Sequence, residues 1–198
     1  MKPETELKRR DLFRLGAAKA TEIAATVVSE KLALRERNWI RPPFAIDEAT
    51  FVSACTKCDK CIEGCPHQVL FRLPDDTPAM DLINRGCRMC GEWPCVRACE
   101  TGALVFPVDD TKQHSPVPRL ARVAINEQTC LPYLGPECGA CQGTCPVPGA
   151  LTWRDGIKPV INEELCSGCA ICREICIADP KAIDVSLLPD KPTGNEVR

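Results

Sequence analysis

Sixteen cysteines in four groups of four constrain this chain more than any other feature. They are Cys55, Cys58, Cys61 and Cys65, then Cys87, Cys90, Cys95 and Cys99, then Cys130, Cys138, Cys141 and Cys145, then Cys166, Cys169, Cys172 and Cys176. The first and last quartets read C-x2-C-x2-C-x3-C. This is the run that ligates 4Fe-4S clusters in bacterial ferredoxins, where the fourth cysteine serves the other cluster of a pair. The second quartet widens its middle gap to four residues and the third widens its first gap to seven, while all four keep the closing C-x3-C. A disulfide scaffold has no use for four near-copies of one spacing. Structural zinc uses pairs set a dozen or more residues apart. The spacing therefore predicts four 4Fe-4S clusters, with all sixteen cysteines as iron ligands. Three thiolates within seven residues require a tight loop whose amides face the sulfurs, and Gly64, Gly91, Gly139 and Gly168 are the small residues available for it.

Composition agrees. About 8% of the chain is Cys, 5% is aromatic and 18 of its 198 residues are Pro, so a large aromatic core is not expected and the clusters themselves must hold the chain together. The formal charge of −2 comes with no run of five or six like charges, which argues against a nucleic-acid partner. No apolar stretch of 18 residues is present, so no conventional transmembrane helix is expected. Ser-His-Asp sets, phosphate loops and dinucleotide fingerprints are absent, leaving hydride or acyl transfer without machinery. An oxidised 4Fe-4S core with four thiolates carries about −2, so the loaded protein reaches about −10 and calls for a basic partner.

The cysteines also mark an internal repeat. Ala124-Ile125-Asn126-Glu127 before Cys130 is matched by Val160-Ile161-Asn162-Glu163 before Cys166. After the fourth ligands, Gly102-Ala103-Leu104, Gly149-Ala150-Leu151 and Lys181-Ala182-Ile183 correspond. Each unit reads as strand, cysteine loop, short helix, strand. The predicted fold is α+β, with two tandem bacterial-ferredoxin-like modules of two clusters each behind an N-terminal helix. The divisions are a helical docking segment over 1–46, module 1 over 47–106, a linker over 107–118, module 2 over 119–188 and a flexible tail over 189–198. Pairing neighbouring quartets gives centre I from Cys55, Cys58, Cys61 and Cys99, and centre II from Cys87, Cys90, Cys95 and Cys65. Centre III then takes Cys130, Cys138, Cys141 and Cys176, and centre IV takes Cys166, Cys169, Cys172 and Cys145. A nested pairing of first with fourth quartet and second with third uses the same sixteen ligands.

Residues 1–46 hold no Cys and carry a local charge of +4 against −6 for the remainder. Arg9-Arg10-Asp11-Leu12-Phe13 is shaped like a twin-arginine export signal. Lys19, Glu22, Glu30 and Lys31 interrupt the apolar run that such a signal needs, whereas Leu12, Leu15, Ile23, Val27, Val28 and Leu32 recur at roughly helical spacing. The segment reads as an amphipathic docking helix and the chain as cytoplasmic, with periplasmic export as the alternative. Two histidines are present, and His67, two residues after Cys65, is in position to hydrogen-bond a cluster, although a surface role is the more ordinary one for it and for His114. Trp39, Trp93, Trp153 and Tyr133 are expected to shield clusters from water or to anchor a partner.

Taken together, Arg41-Pro42-Pro43, the phrase from Phe51 through Cys55-Thr56-Lys57-Cys58 to Cys61-Ile62, and Cys130-Leu131 through Tyr133 to Glu137-Cys138 and Cys141-Gln142 resemble the ferredoxin-type accessory protein of periplasmic nitrate reductase, the NapF type. The second quartet, with Glu92-Trp93-Pro94 ahead of Cys95, is similar to the exported NapG and MauM types. The first resemblance implies a cytoplasmic protein with four clusters that binds the molybdenum-containing catalytic subunit and supports its maturation. The second implies an electron-transfer subunit between a quinol oxidase and a terminal reductase. A further alternative is the iron–sulfur subunit of a larger cytoplasmic redox complex. In each case the chain is expected to be a one-electron carrier and not itself an enzyme, because iron–sulfur units do the chemistry.

Overall fold

The computed structural model describes residues 39–106 and 117–188. The twin-arginine segment, His114, most of the expected linker and the expected tail lie outside the described residues. From Ile40 onward the described residues belong to one compact unit.

The later half holds two antiparallel strand pairs, an outer and an inner one. Strand β3 (Arg122–Ile125) pairs antiparallel with β6 (Ile183–Ser186), and β4 (Leu151–Arg154) pairs antiparallel with β5 (Lys158–Ile161). Asp155 and Gly156 turn the inner hairpin at φ of 55° and 75°, the doubly positive geometry that matches strand twist. Helix α4 (Leu131–Leu134) occupies the seven-residue gap of the third quartet, and helix α5 (Ile171–Glu174) carries Cys172.

The earlier half holds one regular antiparallel pair and isolated bridges. Helix α1 (Glu48–Ala54) leads into Cys55, its N-terminus capped by the Asp47 carboxylate accepting from the Thr50 amide at 3.1 Å. Helix α2 (Lys60–Glu63) carries Cys61 and helix α3 (Pro94–Arg97) carries Cys95, while β1 (Leu70–Arg72) and β2 (Pro78–Met80) form the inner hairpin. The outer strand pair expected here shrinks to one bridge, Ala45 to Leu104, flanked by Val105 N donating to Phe44 O at 3.0 Å. The reason is local: Pro42 and Pro43 have no N–H to donate and Phe44 sits at φ 59°, so no regular strand runs through them. Arg41 compensates from the same phrase. Its guanidinium donates to Glu48 of α1, to Thr77 Oγ1 at 2.8 Å and to Pro78 O at 3.0 Å, and it stacks over the Phe51 ring at 4.8 Å. One side chain thereby ties α1 to the hairpin.

The two halves share one apolar core. Phe51, Leu82, Trp93, Val96 and Leu104 from the first are continuous with Leu120, Ala121, Ala170 and Ile171 from the second. One glycine, Gly86, permits the close approach of the halves, and a second, Gly168, brings two segments of the later half together. A Cβ on Gly86 would lie 2.6 Å from Ile171 Cα, and one on Gly168 would lie 2.1 Å from Ala121 O. Both distances are below any real Cβ contact, so only glycine fits at either place.

Candidate metal centres

Four small cavities lie between these elements, each ringed by four thiols. Cys55, Cys58, Cys61 and Cys99 line centre I, with Phe51 and Leu104 as apolar wall. Cys65, Cys87, Cys90 and Cys95 line centre II, walled by Pro43, Met80 and Trp93. Centre III is lined by Cys130, Cys138, Cys141 and Cys176 beside Leu131 and Ile183. Centre IV is lined by Cys145, Cys166, Cys169 and Cys172 beside Val123, Ile161 and Ile171. Three thiols come from one quartet and the fourth from its sequence neighbour, the grouping that neighbour pairing gives and nested pairing does not. Among the described residues, no three His, Cys, Asp or Glu side chains converge on a point where a single metal ion would be held. The thiols are instead spread around a space, as a polynuclear cluster with one ligand per corner requires and a tetrahedral ion does not.

The loops achieve this by alternating the sign of φ. In three quartets the residue before the second cysteine and the residue two before the third are both left-handed: Lys57 and Asp59, Met89 and Trp93, Gly168 and Ala170. Such alternation turns successive amides toward one concave side, a nest for anionic sulfur. Gly168 N, for example, donates to Cys166 Sγ at 3.4 Å. The sequence-based expectation about glycine needs correcting here. Of Gly64, Gly91, Gly139 and Gly168, only Gly168 takes a positive φ. Gly64 is right-handed at the end of α2, and the left-handed positions are filled mostly by residues with side chains. Each left-handed non-glycine costs about 1–3 kcal/mol, a strain that the surroundings must hold.

Burial sets the electrostatics of the thiols. It pushes Cys61, Cys87 and Cys141 up to about 11 and Cys95 and Cys172 up to about 12, with neighbouring sulfurs adding to the effect. Cys130, Cys166 and Cys169 are raised for the same reason. Cys99 is the exception. Burial acts to raise it, but the Thr101 hydroxyl, 3.6 Å from its sulfur, and nearby backbone amides outweigh that and lower it.

The remaining candidates sort by position. Trp93 is buried, lines centre II and stands edge-on to Phe44 at 5.0 Å, a water shield. His67 is exposed at the rim of centre II. Tyr133 does not line a cavity; its hydroxyl donates to Pro159 O at 3.0 Å and its ring lies under Arg154 and Lys158. Trp153 and Trp39 are half-buried. Sequence reasoning missed Thr101, signalled only by a hydroxyl residue two positions after a fourth ligand. It also missed Glu174, whose carboxylate accepts from Gly86 N and Arg88, both at 2.9 Å. Contacts across more than eighty residues leave no local signal.

Comparison with known proteins fits this geometry. The methylamine utilization ferredoxin-type protein MauM of Methylophilus methylotrophus is 33% identical over 202 residues, covering 94% of this chain and 87% of its own. The chain belongs to the ferredoxin-type family of MauM, NapG and NapF. The ferredoxin-type protein NapG of Escherichia coli K12 is 29% identical over 93% of this chain and 87% of its own. The NapF protein of the same organism is 34% identical over 70% of this chain and 80% of its own. No family model and no solved structure matches. As a member of this ferredoxin-type family the chain is an iron–sulfur electron-transfer protein, and its sixteen cysteines are the residues available to hold iron. Among the described residues no helix is long and apolar enough to cross a membrane.

Proposed function

We propose that the chain holds four 4Fe-4S clusters, one in each thiol-ringed cavity, and relays single electrons to a protein redox partner. The observation that carries this is the grouping of the sixteen thiols into four rings of four, each completed by its neighbour quartet. When bound, the clusters supply one-electron chemistry. The chain's residues hold the iron, donate amides to the ligand sulfurs, and exclude water with Trp93, Phe51 and the aliphatic walls, the levers by which a protein sets potential.

Iron counting tests the ligand set. Cys95→Ala is expected to lose the iron of one cluster, and so are Cys58→Ala and Cys99→Ala separately. Because Cys58 and Cys99 line one cavity, the double variant should lose no more than either alone. A double variant that loses two clusters would overturn the neighbour pairing, and full iron in Cys95→Ala would overturn the ligand assignment.

Within the family, the relay role is favoured by the MauM protein of Methylophilus methylotrophus and the NapG protein of Escherichia coli K12 matching 94% and 93% of this chain, where the NapF relative matches 70%. The accessory role toward a molybdenum-containing catalytic subunit is the second reading, favoured by Lys19, Glu22, Glu30 and Lys31 in the stretch that export would need apolar. The same charges place the chain, in our reading, on the cytoplasmic side. Fractionation of the native protein is expected to return a cytoplasmic chain with residues 1–40 intact. A shortened periplasmic chain would overturn that compartment and leave the relay standing.

A further inference from the structure

Centres I and II exchange a ligand, as do III and IV, so each half has a built-in connection between its own two sites. Nothing in the cysteine spacing says how one half communicates with the other. The structure narrows this to one patch. Cys87 N donates to Cys169 O at 2.8 Å, joining the backbone of a centre II ligand to that of a centre IV ligand. Around that bond, Gly86 N and Arg88 donate to the Glu174 carboxylate, each at 2.9 Å, and Arg173 Nε donates to Ile83 O at 2.9 Å. These four hydrogen bonds join residues 83–88 to residues 169–174. Gly86 lets the loops meet without a side chain between them, since a Cβ there would fall 2.6 Å from Ile171 Cα. Ile171 itself lines centre IV. Cys87 and Cys169 are both buried. Cys58 of centre I, by contrast, is exposed.

Electron transfer between sites weakens steeply with separation and is carried better by a bonded path than by open solvent. We infer that electrons pass between the halves across the Cys87–Cys169 contact, so that the four centres are connected in the order I, II, IV, III. The inference rests on the four-cluster reading above. With clusters bound at both sites, the contact would let one electron leave the group held by Cys65, Cys87, Cys90 and Cys95 and reach the group held by Cys145, Cys166, Cys169 and Cys172, the first oxidised and the second reduced by one electron. No bond is made or broken and no proton moves, and the electron enters from an external one-electron protein donor. Sequence order would have connected II to III. The structural order makes I and III the two ends, and a partner at either end meets a different surface.

Magnetic coupling between reduced clusters reports proximity without reference to activity. Removing I and III with Cys58→Ala and Cys138→Ala leaves II and IV, with Cys87 and Cys169 untouched. Removing II and IV with Cys90→Ala and Cys172→Ala leaves I and III. With dithionite as reductant and iron for two clusters in each protein, the first is expected to give a coupled, broadened EPR spectrum and the second two independent signals. Independent signals in the II/IV protein, or coupling confined to the I/III protein, would overturn the order. In case the double variants lose more iron than intended, Gly86→Val in the otherwise intact chain gives a second test. It pushes the Cys87 loop off Ile171 and is expected to reduce the coupling seen in the wild-type spectrum, and an unchanged spectrum at full iron would overturn the inference. Wild-type protein with iron for fewer than four clusters would instead fail the four-cluster reading, and that count precedes every variant.

Discussion

Gly168→Ala is expected to lose the iron of centre IV and to lower the unfolding temperature far more than any other glycine replacement in a cysteine loop. Two independent effects act together. The residue sits at φ 73°, where a side chain is strained by about 1–2 kcal/mol. The added Cβ would also lie 2.1 Å from Ala121 O and 2.4 Å from Ala121 N, which are backbone atoms that cannot rotate away. Either the Cys166–Cys169 loop or the segment entering β3 must shift. A shift breaks the hydrogen bond from Leu120 N to Ser167 O at 2.7 Å and the amide on Cys166 Sγ. The total loss should exceed the roughly 1 kcal/mol of an ordinary substitution several-fold. Gly91→Ala is the matched control. It lies in the second quartet's loop, just after Cys90, has no positive φ, and has nothing within 4 Å of its would-be Cβ. Iron content and thermal midpoint are measured for both variants. Gly91→Ala should equal wild type, and a Gly168→Ala protein with wild-type iron and midpoint would contradict the account of the loop.

That contrast also marks where the sequence is legible. The four thiol quartets follow from spacing, because a ligand run is a local property of the chain, whereas the choice between neighbour and nested grouping does not. Strands β3 and β5 of the later half follow too, since the phrases ending at Cys130 and Cys166 repeat residue for residue at Ile125-Asn126-Glu127 and Ile161-Asn162-Glu163. Four similar-looking loop glycines do not reveal which one is required. Their difference arises from φ and from Ala121, which lies 47 positions earlier in sequence and is not a cysteine-loop residue at all. The loss of the outer strand pair before the first quartet was in principle readable from Pro42-Pro43, whereas the bond from Cys87 to Cys169 was not. Backbone pairing between distant loops depends on the tertiary fold and leaves no periodicity or composition behind. The same holds for Gly86, whose role is set wholly by Ile171.

Removal of iron under reducing, anaerobic conditions is expected to abolish cooperative unfolding altogether. Each half folds around two thiol-ringed cavities, and the surrounding apolar groups are few for a chain with only 5% aromatic residues. The left-handed Lys57, Asp59, Met89, Trp93 and Ala170 then keep their strain of about 1–3 kcal/mol each with no bound metal to hold the loops. Circular dichroism and a thermal scan check this, and a sharp transition at the wild-type midpoint in iron-free protein would refute it. The pH dependence has a definite sign. Burial raises the thiols of Cys61, Cys87 and Cys141 to about 11 and those of Cys95 and Cys172 to about 12, against an ordinary 9.0. A group whose folded value is raised binds more protons folded than unfolded, so residual structure in the iron-free chain is most stable below pH 9 and is lost as pH climbs toward 11 and 12. Iron requires the thiolate, so loading runs the other way. Every ligand that enters protonated must release its proton, and reconstitution should strengthen from pH 7 to about 9 with measurable acidification of a weakly buffered solution. Loading that is independent of pH would mean that the thiols are already ionised before iron binds, contrary to an ordinary value of 9.0 or higher.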